Sequence, residues 1–137
     1  MQGIDLALAK KEIQGLCLLC FEDERPPRGA LGYVDWLFAG HFTKLLKTQV
    51  ITGKKNQLVY TPILWNGSTF HFLVMGGGYL HESGMRPDFD PSLLNQVAEC
   101  AERLALNRLG IIKDDWKLTD KDLEAQDLEK RKICVLN

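Results

Sequence analysis
The chain has 137 residues, with 17 Lys and Arg against 18 Asp and Glu and a net charge of −1. Hydrophobic residues make up 45% and charged residues 26%, globular proportions that exclude a disordered chain and a basic protein holding nucleic acid by counterion release. No run approaches the roughly 20 apolar residues of a membrane span, and Asp5, Lys10, Lys11 and Glu12 interrupt any leader-like region, so one cytoplasmic domain over residues 1–137 is expected, with no membrane or nucleic-acid partner.

Taken in order, Ile4 to Ala9 reads as a short strand ended by Lys10-Lys11-Glu12. Leu16 to Phe21 is a near-continuous apolar run, the pattern of a strand covered on both faces. A charged, proline-stiffened loop follows, Glu22 to Gly29. From about Ala30 to Thr48 a helix is predicted, because Leu31, Val34, Phe38, Phe42, Leu45 and Leu46 recur at three- and four-residue steps. Leu58 to Trp65 and Thr69 to Met75 form a hairpin around Asn66-Gly67, a pair that tolerates positive φ. Pro62 donates no N–H, which places an edge or a bulge in the first arm.

A second helix is predicted over Pro91 to Leu109, with Asp90 as N-cap, Pro91 at the first helical position and Gly110 as C-cap. Its buried face is Leu93, Leu94, Val97, Ala101, Leu104 and Ala105. A last helix begins after Thr119, with Asp122 completing a capping box. Ile133 to Leu136 closes the chain as a strand. The order β-β-α-β-β-α-α-β gives an α/β fold, a three-layer α/β/α sandwich with a mixed β-sheet.

Residues able to carry chemistry are few. The four cysteines include Cys17-Leu18-Leu19-Cys20, but in a strand two residues three apart face opposite sides. A shared metal is therefore excluded, and structural thiols of a reducing compartment are expected. His41, His71 and His81 come from unrelated segments, and His71, alternating with Leu73 and Met75, reads as a hydrogen-bonded core histidine. No metal ligands, catalytic set or cofactor motif emerges.

Three features remain. Gly76-Gly77-Gly78 after a buried strand is either a loop letting a backbone approach phosphate or a turn needing positive φ. Tyr79 to Arg86 then forms a flap or a plain loop. Asp35 stands in the apolar stripe of the first helix and needs a partner, for which Arg25 and Arg28 are the nearest donors. Such a pair fixes the loop to the helix or joins a ligand site.

The stretch Asp23-Glu24-Arg25-Pro26-Pro27-Arg28-Gly29-Ala30-Leu31-Gly32-Tyr33-Val34-Asp35-Trp36 resembles the segment D-E-R-P-x-x-G-x-x-G-x-x-D-W. That segment belongs to the N-terminal domain of the cytosol (leucyl) aminopeptidase family, peptidase family M17. The strand His71 to Met75 with its glycines, and the helix after Pro91, extend the similarity over residues 5–112. The resemblance implies a macro-domain-like fold. It also implies no catalysis, because that family's metal and catalytic residues lie in a C-terminal domain whose N-T-D-A-E-G-R signature is absent. The Asn-x-Ala-Asn pattern of macro domains is absent too.

Two readings follow. The first is a non-catalytic, stand-alone assembly module that forms a homo-oligomer or meets a protein partner. The alternative is a binder of a phosphate-bearing small molecule, a nucleotide or an ADP-ribose-like ligand, at Gly76, Gly77 and Gly78 with Arg25, Arg28 and Asp35. A weaker third is a hydrolase of such a nucleotide with Asp35 or His81 as base.

Overall fold
The computed structural model describes residues 2–80 and 84–137. The elements are α1 (Gln2–Ala9), β1 (Gly15–Cys20), α2 (Gly29–Leu37), α3 (His41–Lys47), β2 (Leu58–Trp65), β3 (Ser68–Gly76), α4 (Pro91–Arg103), β4 (Leu109–Ile112), α5 (Asp120–Ala125) and β5 (Ile133–Leu136). The five strands lie in the order β2-β3-β1-β4-β5. The β2–β3 hairpin is antiparallel and the other pairings are parallel.

β1 is buried from end to end, and its alternation feeds two cores. Leu16, Leu18 and Cys20 face one layer with Phe72, Val74, Leu31, Val34 and Phe42. Cys17 and Leu19 face the other with Leu73, Met75, Leu94, Val97 and Ile111. α1, α2 and α3 therefore cover one face of the sheet, and α4 and α5 the other. This is the expected three-layer α/β/α sandwich with a mixed sheet. Cys17 and Cys20 lie on opposite faces, and burial pushes the Cys17 thiol well above its ordinary range.

Four local expectations are corrected. Ile4 to Ala9 is not a strand but most of α1. Its apolar residues follow a helical step: Ile4 and Ala7 are fully buried while Leu6 is 48% exposed. The predicted helix over Ala30 to Thr48 is two helices. The chain breaks at Ala39 and Gly40, both at positive φ, and Asp35 caps the second half. α4 stops at Arg103, and Ala105 takes a positive φ. Leu104 and Ala105 are exposed. Gly110 is no helix cap: it sits in β4, where a side chain would press on Leu16, Leu136 and Ile13. The strand β4 was hidden by that glycine and by its length of four residues. The order is thus α-β-α-α-β-β-α-β-α-β.

The hairpin, the Asp90 cap and the α5 capping box stand as expected. Asn66 and Gly67 both have positive φ. Pro62 lies on β2, the edge strand. The Asp90 side chain accepts from the Ser92 hydroxyl at 2.8 Å and the Ser92 N–H at 2.9 Å, which hold its carboxyl below the usual range. Thr119 and Asp122 cap α5 reciprocally.

Candidate ligand-binding site
The parallel strands direct their carboxyl ends to one edge, the place where ligands of open α/β sheets sit. A cavity of about 450 Å³ lies there. Phe21 enters it from the end of β1, Gly77 and Gly78 from the end of β3, and Trp116 from the turn after β4. Tyr79 and Phe89 complete the aromatic walls. Among the described residues, four carboxylates, on Glu22, Asp88, Asp90 and Asp115, share those walls with one cation, Lys55.

Behind the cavity lies a buried charge cluster. Arg86 Nη2 donates to Glu24 Oε1 at 2.9 Å, and Nη1 stands 2.9 Å from Asp115 Oδ1. The guanidinium also lies over the Phe21 ring, 5.0 Å from its centroid. Glu24 and Asp115 are 8% and 7% exposed, rare for carboxylates and tolerable only with partners. Burial pushes the Asp115 carboxyl up, against the pull of Arg86 and of the Ala30 N–H that it accepts. Three side-chain atoms here are buried without any hydrogen-bond partner among the described residues: Asp115 Oδ2 and Trp116 Nε1 in the wall, and Arg86 Nη1 in the cluster behind it. Buried polar atoms are rarely left so.

The sequence-predicted residues fall differently. The N–H groups of Gly76, Gly77 and Gly78 donate to the carbonyls of Gln57, Cys20 and Gly53, at 2.7, 2.9 and 2.9 Å. The triplet therefore lets three backbone segments meet, and it offers a phosphate no free amide. Arg25 ties its loop to the segment before β2, donating to the carbonyls of Phe21, Glu24 and Thr52. The Arg28 N–H donates to Glu24, its carbonyl accepts from Arg86, and its side chain is exposed. Neither arginine pairs with Asp35. That carboxylate accepts the N–H groups of Phe42 and Thr43 and the Thr43 hydroxyl, capping α3. Such a cap is worth about 1 kcal/mol. Of the six, only Gly77 and Gly78 line the cavity.

The histidines lie elsewhere. His41 bonds Thr61 at 2.8 Å. His71 is half-buried, stacked on Tyr60 and bonded to its hydroxyl at 2.6 Å. His81, offered as a base, lies outside the described residues. No group of three or more potential metal ligands occurs among the described residues, and no helix there is long and apolar enough to cross a membrane. A larger groove of about 940 Å³ opens at the other end of the strands, beside Phe38, Trp65 and Leu106. None of the unpartnered buried atoms lies on its walls.

Sequence reasoning missed Glu24, Arg86, Asp115 and Trp116. The available signal was Lys113-Asp114-Asp115-Trp116 after the apolar Leu109 to Ile112, a carboxylate carried into the core by a short strand.

The mixed sheet, its two helical layers and a cavity at the strands' carboxyl edge define a macrodomain-like α/β protein. Among solved structures, the macrodomain of Mycobacterium tuberculosis DarG matches 90% of this chain and 88% of its own, with a TM-score of 0.59 and 12% identity. A tomato leucine aminopeptidase mutant matches 73% of this chain with a TM-score of 0.50 and 14% identity. The chain spans a fifth of that enzyme, 20% of its length. At such identities the likeness is one of fold. No family model matches the chain, and no curated protein matches it in sequence.

Proposed function
We propose that the chain is a non-catalytic module that binds a small molecule in the cavity at the sheet's carboxyl edge. The observation that carries this reading is the pair Asp115 Oδ2 and Trp116 Nε1, an acceptor and a donor buried without partners in an aromatic wall. Ligand sites are mostly apolar with a few such polar groups. The macrodomain-like fold supports the location.

The test is a thermal-shift screen against ADP-ribose, nucleotides, small amines and dipeptides, with and without Mn²⁺ or Zn²⁺. A ligand at 100 times its dissociation constant adds about 2.7 kcal/mol, which raises the melting temperature by several degrees at this size. The expected result is such a rise with an organic ligand, reduced in Trp116→Phe, which keeps the ring and deletes the donor. No rise across the panel, or a rise untouched by Trp116→Phe, overturns the reading.

A second reading, a solitary M17-like N-terminal domain acting as an assembly module, has its own support. Leu64 on the edge strand β2 is 78% exposed and Trp36 on α2 is 75% exposed, two large apolar side chains open to a partner surface. Light scattering is expected to give a mass above that of the monomer, which Leu64→Glu with Trp36→Glu returns to 15.5 kDa. A monomer at all concentrations removes the homo-oligomeric form of this reading.

A further inference from the structure
Granting that the cavity is a ligand site, its chemistry selects among ligands. We propose that it takes an organic cation, a small molecule carrying an ammonium group on an apolar body. The walls present Glu22, Asp88, Asp90 and Asp115 against Lys55. Counting the groups paired to them adds Glu24 with Arg86 and Lys117, which among the described residues still leaves five carboxylates against three cations. A field of that sign attracts cations and repels anions.

The donor inventory agrees. A phosphate needs donors; on these walls the N–H groups of Gly77 and Gly78 already donate to backbone carbonyls, and the Lys55 ammonium is paired with Asp90 at 3.7 Å. The unpartnered acceptor, Asp115 Oδ2, belongs to a side chain only 4% exposed. An ammonium donates hydrogen bonds and adds positive charge to the share that Arg86, divided between Asp115 and Glu24, gives this carboxylate. The aromatic walls suit a cation as well: Phe21 already holds the Arg86 guanidinium over its ring, and Tyr79, Phe89 and Trp116 supply further π surface. Trp116 Nε1 remains to donate to an oxygen on the same ligand.

The test uses three probes with one skeleton: 3-phenylpropylamine, 3-phenylpropan-1-ol and 3-phenylpropanoate. Binding is read from the indole N–H resonance that Trp116→Phe deletes. The amine is expected to bind about tenfold more tightly than the alcohol, and the carboxylate more weakly than either. Asp115→Asn is expected to remove most of the amine's advantage and leave the alcohol unchanged. Because Asp115 also holds Arg86, Glu22→Gln serves as a second variant. Its side chain makes no bond among the described residues, and it is expected to weaken the amine about threefold. Equal binding of amine and alcohol overturns the cation assignment. So does binding of 3-phenylpropanoate, inorganic phosphate or ADP-ribose at the same resonance as tightly as the amine. Either result leaves the cavity a ligand site. If no probe moves the Trp116 resonance, both the assignment and the site reading fall.

Discussion

Replacing Arg86 with methionine is expected to lower the melting temperature by about 10 °C near neutral pH, a loss of about 3 kcal/mol. Methionine keeps an unbranched apolar stem and deletes the guanidinium, so the main loss is electrostatic. The guanidinium lies between two carboxylates that are each more than nine-tenths buried, 2.9 Å from an oxygen of each. Removing it leaves both acids in low dielectric with no counter-charge, which costs more than the intact pair contributes. Arg86→Lys is expected to recover only part of the loss. One ammonium cannot reproduce the two-pronged geometry that serves Glu24, Asp115 and the Arg28 carbonyl together.

The pH dependence separates this account from a packing effect. Burial raises the Asp115 carboxyl above its ordinary 3.8, and Arg86 is the chief influence pulling it back. Without Arg86 it rises further. A carboxyl raised in the folded state adds stability while protonated, fully so below its unfolded value, and loses that stability as pH climbs through its folded value. The gap between wild type and Arg86→Met is therefore expected to be small near pH 4 and to open toward about pH 7 in urea midpoints. A gap that stays constant with pH would assign the role of Arg86 to packing on Phe21.

How far the sequence could be read depended on whether a residue's job is local. The Asn66-Gly67 turn, the Asp90 cap and the Thr119–Asp122 box each act within four residues, and each stands where spacing places it. The buried face of β1 is equally local, because period-two alternation sorts Cys17 from Cys20 without tertiary information. Asp35 shows the limit. The need of a carboxylate in an apolar stripe for a partner is legible. The partner is not, because the helix breaks at Ala39-Gly40 and brings the backbone of Phe42 and Thr43 to it. The reading of Asp35 with Arg25 and Arg28 put the right kind of interaction in the wrong place. Buried ion pairing does fix this loop, through Glu24, and its counterpart Arg86 comes from 62 residues away.

The D-E-R-P-like stretch likewise gains a physical meaning. Glu24 receives the Arg28 N–H and the Arg86 guanidinium, and Arg25 gathers three carbonyls. These residues shape the loop behind the cavity wall and do not reach into the cavity. The cavity itself needs Asp115 and Trp116, delivered by a four-residue strand whose first residue reads as the end of the preceding helix and whose glycine reads as its cap. Its aromatic and acidic walls arise only when the turn after β4, the end of β1 and the segment before α4 meet in space.

Gly76→Ala is expected to be as damaging as the loss of Arg86, for a reason that separates a structural glycine from a ligand-binding one. A Cβ on Gly76 would stand on the Lys54 carbonyl oxygen, far inside van der Waals contact. That carbonyl cannot retreat freely, because it accepts the Gln57 N–H at 3.0 Å within the turn that leads into β2. The turn is also laced to the glycines themselves: Asn56 donates to the Gly76 carbonyl, Gly76 to Gln57, and Gly78 to Gly53. Making room means breaking these bonds, opening the seam beside the Cys20–Gly76 pairing, or both. Buried backbone groups left without partners cost about 1–3 kcal/mol each, so a loss of about 3 kcal/mol or more is expected, measured by urea unfolding. Gly67, in the hairpin turn, provides the contrast. A Cβ there meets nothing within 4 Å, and only its positive φ opposes substitution, so Gly67→Ala should cost about 1 kcal/mol. A phosphate loop would give the opposite result at Gly76, with stability nearly unchanged and ligand affinity lost. If Gly76→Ala folds with wild-type stability, the close approach that defines this edge of the cavity is wrong. If it unfolds as expected, the glycines are accounted for by the meeting of three backbone segments, and ligand chemistry passes to Asp115 and Trp116.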